Sequence, residues 1–126
     1  MTDVELVEQH RAGGQSAFAE IVSRHAGWVY GMARRRLRDG QTAEDVTQAV
    51  FVLLHRKLPR FEADGALINW LHRAAWYATE TTIRNQRRRQ MRESEAATMR
   101  ATTTDPAENE QWEELAPMLD RLIGRL

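Results

Sequence analysis

One stretch concentrates residues that could do chemistry. Asn69, Arg73, Trp76, Tyr77, Glu80, Arg84 and then Arg87 or Arg88 recur at intervals that keep them on one side of a 3.6-residue helix. A solvated helix face rarely carries Trp beside Tyr. Two aromatic rings among arginines and an amide suit the stacking of unpaired bases, with cations for the phosphates. Periodicity alone also allows a blander arrangement, in which Trp76 and Tyr77 pack against the first helix or the tail. The arginine-rich run 84–92 could likewise be a solvated helix end, favoured there by the helix dipole. Arg34-Arg35-Arg36 and Arg38 form a second basic end, for which the solvated reading is preferred.

Other chemistries find little support. The histidines are His10, His25, His55 and His72, and none stands four residues from another with a carboxylate between, as a zinc-protease helix requires. His25 falls on an apolar stripe, where a satisfied core histidine is the usual outcome. Gly13-Gly14 is a helix stop, not a phosphate cradle, because no strand precedes it. Ser16 and Ser23 lack a nucleophile-elbow context. There is no cysteine, which excludes disulfides, thiolate zinc sites and a cysteine nucleophile. The reading is of a chain with no catalytic residues, no metal site and no cofactor.

The elements that must position these residues are helical almost throughout. Val4, Leu6 and Val7 open a short helix with Thr2 as its cap, ended by Gly13-Gly14. Ser16 is expected to cap the next. Its stripe runs Phe18, Ile21, Val22, His25, Val29, Met32, Ala33 and Leu37, at the spacing of a buried face, and Asp39-Gly40 stops it. Thr42-Ala43-Glu44-Asp45 predicts a capped start with acid in the first turn, followed by core positions Val46, Ala49, Val50, Leu53 and Leu54. Pro59 closes that helix, and residues 59–65 form a loop. A long helix is predicted from Ala66, burying Ile68, Leu71, Ala74, Ala75, Ala78 and Ile83. Residues 93–109 are polar and are read as a linker. Asp105-Pro106 predicts a new helix start, with a stripe of Trp112, Leu115, Leu119, Leu122, Ile123 and Leu126 that Pro117 should kink or split. A stripe still running at Leu126 suggests truncation.

Totals bound the class. The chain has 126 residues, enough for one domain with a real core, and 29% are charged, ordinary for a globular protein. No apolar run approaches the roughly 20 residues that span a bilayer, and Met1 to Glu8 shows no export pattern, so no membrane insertion is expected. The net charge of zero hides an asymmetry. Residues 1–92 hold 15 basic against 10 acidic residues, and residues 93–126 hold 3 against 8. A basic globule with an acidic tail can bind a polyanion on one part only. All basic residues but Lys57 are arginine. That suits bidentate phosphate and base contacts, although a GC-rich coding sequence favours arginine too.

The run Ala43-Glu44-Asp45-Val46-Thr47-Gln48-Ala49-Val50-Phe51, then Phe61, then Asn69-Trp70-Leu71-His72-Arg73-Ala74-Ala75, resembles the extracytoplasmic-function (ECF) sigma factors. That family reads approximately A-E-D-L-V-Q-E-x-F, then F, then x-W-L-x-R-I-A, at the same spacing. Phe18-Ala19-Glu20-Ile21-Val22 with Tyr30 is similar to its opening helices, so the resemblance covers about residues 3–95. It implies an all-α bundle of about four helices over residues 2–92, then the linker 93–109, with 110–126 as the incomplete start of the second, region 4-like domain.

The same resemblance implies the partners. The acid-first helix would dock on the clamp helices of the polymerase β′ subunit, with Asp45 and Gln48 at contacting positions and Phe51 packing beside them or bordering the contact. The loop Phe61 to Ala66, with Glu62, Ala63 and Asp64, would hold a flipped base of the −10 element. The long helix would read the non-template single strand through Asn69, Arg73, Trp76, Tyr77, Arg84, Arg87 and Arg88. An anti-sigma protein is a further partner that the resemblance allows, and the place of action would be the cytoplasm. Three departures stand out. The family's Gln-Glu pair is Gln48-Ala49 here. Tyr77, preceded by Trp76, replaces an Asn at a DNA-reading position, which favours stacking over amide bonding. The helix-turn-helix that reads the −35 element is missing, with only Glu113 to Leu126 similar to its first residues. Two rivals remain: a protein-interaction module held by an anti-sigma partner, favoured if Trp76 and Tyr77 are buried, and a helical enzyme with a polar pocket at His25 or His72.

Overall fold

A computed structural model describes residues 1–63, 65–94 and 110–124. They form five helices: α1 (Asp3–Arg11), α2 (Gln15–Arg36), α3 (Gly40–Lys57), α4 (Ala66–Ser94) and α5 (Glu110–Gly124). The protein is all-α, as the periodicity predicts. Among the described residues no helix is long and apolar enough to cross a membrane.

Local chemistry sets the boundaries. Thr2 caps α1 reciprocally: its hydroxyl accepts from the Glu5 N–H at 3.1 Å and its own N–H donates to Glu5 Oε1 at 2.8 Å. Gly13, at φ +105°, turns the chain where an L side chain would be strained. The turn starts α2 earlier than Ser16 suggests. Gly14 is its N-cap, with no side-chain bond, and Ser16 lies inside the helix. The start of α3 also differs from expectation. Asp39, not Thr42, is the cap, accepting from the Gln41 N–H at 3.2 Å and the Thr42 hydroxyl at 2.9 Å. These bonds, the Thr42 one foremost, hold the Asp39 carboxyl below its usual range. Glu44 and Asp45 therefore sit beyond the first turn, where the dipole acts weakly on them.

Cross-helix contacts give the topology. Asp3 meets His25 and His10 meets Phe18, so α1 and α2 are antiparallel. Phe18 meets His55, and a side chain at Gly40 would meet the Tyr30 hydroxyl, so α3 runs back along α2. His72 stacks on Trp28 and Glu80 pairs with Arg36, so α4 runs parallel to α2. The core between them is Val7, Ile21, Val29, Ala33, Val46, Val50, Leu53, Leu54, Leu67, Leu71, Ala74 and Ala78.

On α4 the inward face is set by Leu67 and Trp70, which are buried, while Ile68 is 38% exposed. The core position expected for Ile68 thus belongs to its neighbour, about 100° round the helix. The helix continues to Ser94, two residues into the stretch read as linker. The rest of that stretch, with Asp105-Pro106, lies outside the described residues. Helix α5 passes through Pro117 without splitting. Its Leu115, Leu119 and Ile123, one turn apart, are buried against α3 and α4 as part of the same core.

Two long-range bonds from Arg11 lock α1 to the far end of α3. Leu58 takes a left-handed conformation, φ 30°, that ends α3. The Arg11 guanidinium donates to the carbonyl oxygens of Leu58 at 3.2 Å and Pro59 at 3.0 Å. Arg11→Ala removes both charge-assisted bonds and is expected to cost about 1–3 kcal/mol, read as a lower urea midpoint with an unchanged slope.

Candidate nucleic-acid and protein interfaces

The α4 face counted from the sequence divides into two. Asn69, Arg73, Trp76 and Arg87 are exposed, Trp76 at 40%, and form an open stripe along the helix. Glu80 lies on the same stripe, but its carboxylate pairs with Arg36 of α2, which removes its repulsion for an anion.

Tyr77 leaves that stripe. A residue next to Trp76 is turned about 100° from it, and this brings Tyr77 beside α5, half buried. Burial pushes its phenol above the usual range, with the Asp120 carboxylate adding to the shift and Arg84 opposing it. Burial likewise raises the Asp120 carboxyl, against the pull of Arg84, the Tyr77 hydroxyl and Arg88. Arg84 is partly buried and donates to the Thr81 hydroxyl at 3.3 Å. Arg88 is exposed at the edge of this group. The two aromatic side chains therefore do not form one platform. Trp76 faces solvent and Tyr77 faces α5.

The loop before α4 places Glu62 and Ala63 in solvent and buries Phe61, and Asp64 lies outside the described residues. Gly65, at φ +91°, makes the turn into α4.

On α3 a separate face is open. Gln48 is exposed, and Asp45 is partly exposed with Oδ1 accepting from Gln41 Nε2 at 3.0 Å. Phe51 is only 6% exposed and belongs to the core, so it backs this face without being presented on it. Val52 is 38% exposed, one turn beyond Gln48, and gives the face an apolar centre. The sequence reading did not single out Val52; an i, i+4 count from Gln48 would have found it.

His25 and His72 do not form a polar pocket. The Trp28 indole N–H donates to His25 Nδ1 at 2.9 Å, so Nε2 carries the hydrogen and donates to Asp3 Oδ2 at 3.0 Å. Both ring nitrogens of this buried side chain are thus used in structure. His72 is exposed and stacks on Trp28, a pair that the sequence reading did not single out.

These residues define a helical bundle with two open faces, an acid–amide one on α3 and an aromatic–basic one on α4. The chain matches the Sigma-70 region 2 family over residues 21–89. It is 38% identical to the RNA polymerase sigma factor CarQ of Myxococcus xanthus, across 64% of this chain and 47% of that protein. It is 36% identical to the RNA polymerase sigma-H factor of Pseudomonas aeruginosa, across 58% of this chain and 38% of that one. With the ECF RNA polymerase sigma factor SigM of Mycobacterium tuberculosis it shares 35% identity, across 57% and 37%. No solved structure matches it significantly. The chain belongs to the Sigma-70 region 2 family. It spans less than half the length of these relatives.

Proposed function

We propose that this chain binds core RNA polymerase and, in that complex, recognises and melts the promoter −10 element in the cytoplasm. Family membership carries the reading, and the two separate open faces support it. The α3 face, through Asp45, Gln48 and Val52, docks on the β′ clamp helices, with Phe51 holding the helix in place from behind. The α4 stripe of Asn69, Arg73 and Trp76, with Arg87 and Arg88 further along, takes the non-template single strand. Glu62, Ala63 and Asp64 border the pocket for a flipped base. The chain makes and breaks no bond. Binding free energy for unpaired bases offsets the few kcal/mol that each extruded base costs and shifts the duplex toward the open state.

Residues 2–92 carry both faces, residues 93–109 link, and residues 110–126 are a region 4-like segment, whose helix α5 (Glu110–Gly124) packs on α3 and α4. Exposure of Trp76 weighs against the rival of a protein-interaction module held by an anti-sigma partner, which burial of both Trp76 and Tyr77 would favour; Tyr77 alone is half buried. The direct test is a gel shift of forked promoter DNA by core polymerase, with and without this chain. No chain-dependent complex would refute the reading, and the salt dependence of a complex would separate phosphate contacts from base contacts. Trp76→Ala is expected to weaken binding of a single-stranded −10 oligonucleotide about tenfold, from a stacking contribution of roughly 1–3 kcal/mol per base, while duplex binding and thermal stability stay unchanged.

A further inference from the structure

We infer that His72, seated on Trp28, is a second stacking position for an unpaired base, so that the strand bound at Trp76 continues over the seam between α4 and α2. This rests on the single-strand reading of the α4 face and extends it to residues outside that stripe.

The geometry is that of a supported ring. The centroids of His72 and Trp28 lie 4.4 Å apart with planes at 30°, a stacked arrangement. Trp28 is fixed from below. Its N–H donates to His25, His25 donates to Asp3, and Asp3 is also held by Arg24 at 3.2 Å. Beneath the indole, His25 meets it edge-on at 5.9 Å and 89°. The indole therefore has little freedom, and it covers one face of an imidazole that remains exposed to solvent. A third ring would stack on the exposed side of this imidazole.

Position along the helix points to the same occupant. His72 and Trp76 are one turn apart, about 6 Å along the axis, comparable to one step of an extended single strand. Arg73, next to His72, is exposed, as is Arg35 on α2. The nearby acid, Glu80, is paired with Arg36. Aromatic faces at nucleotide spacing with flanking cations form a sequence-tolerant single-strand site. Tyr77, turned to α5, lies off this path.

The test uses the full chain and a fluorescein-labelled pool of random single strands of about 12 nucleotides, read by anisotropy, with Trp76→Ala as the reference. His72→Ala is expected to weaken binding about tenfold. His72→Phe, which restores a flat ring, should return it to within about twofold of wild type, and the slope of log K on log salt should not change because no phosphate contact is lost. Thermal melts of both variants check that the bundle is intact. If His72→Ala binds like wild type while Trp76→Ala is weakened, the inference is wrong and the α4 stripe stands. If both bind like wild type, the single-strand reading of the face fails, and this inference with it. If His72→Phe fails to restore binding, or the salt slope falls by about one unit, His72 acts through charge or hydrogen bonding and stacking is refuted.

Discussion

Replacing both Asp45 and Gln48 by arginine is expected to weaken binding to core polymerase about a hundredfold or more, with the thermal midpoint of the chain almost unchanged. Losing one partner of a desolvated charge or hydrogen-bonded pair at an interface costs about 2–5 kcal/mol, and a reversed sign adds repulsion against the surface that received the acid. The fold should tolerate the change. Gln48 is exposed and Asp45 partly so, and the one side-chain bond they make, from Gln41 to Asp45, lies at the surface. Surface substitutions of this kind move stability by about 0.5 kcal/mol or less. A fluorescence titration against core enzyme reads the first quantity and a melt reads the second. Undiminished affinity would remove α3 from the docking surface, and lost stability would show that these side chains serve the fold.

Leu119→Ala tests whether α5 and the bundle are one cooperative unit. Leu119 is fully buried, between Leu115 and Ile123 on the inward face of α5, against α3 and α4. Truncating such a leucine costs about 2–5 kcal/mol, the larger values where the cavity cannot collapse. If α5 shares the core, urea unfolding followed at a tryptophan of the bundle should shift to a lower midpoint in a single transition. If α5 were a loosely held appendage, the bundle would unfold at its usual midpoint and only the far-ultraviolet helix signal would change. The result also bears on Tyr77, which owes its half-buried state to this helix.

The helix order and most of the core were legible because a 3.6-residue period leaves few choices in α2 and α3. Val29, Ala33, Val46, Val50, Leu53 and Leu54 all turn inward as expected. On α3 the outward placement of Asp45 and Gln48 was legible: Gln48 is exposed and Asp45 partly so. The failures share one cause. Where two large residues are adjacent, periodicity cannot choose between them without knowing what lies opposite. Leu67 rather than Ile68 fills the core because the α2–α4 seam occupies one side of α4. Tyr77 rather than Trp76 is covered because α5 occupies the other side, and α5 approaches across residues with no periodic signal. The Trp28–His72 stack was invisible for the same reason, being a contact between helices more than forty residues apart in the chain.

Thr2 caps α1 as expected, while two other caps were misread for local reasons. Ser16 and Thr42 are good cap types, but Gly13 and Asp39 turn the backbone earlier, so each helix has begun before it reaches them. Pro117 costs α5 one backbone hydrogen bond. Burial of Leu115, Leu119 and Ile123, each of which contributes about 1.5–3 kcal/mol, offsets that loss, and the helix continues.

The run of bonds from Asp3 through His25 to Trp28 has a practical side. Asp3 of α1 is a structural buttress for a ring on the neighbouring helix, so whatever loosens α1 would also slacken the indole on which His72 rests.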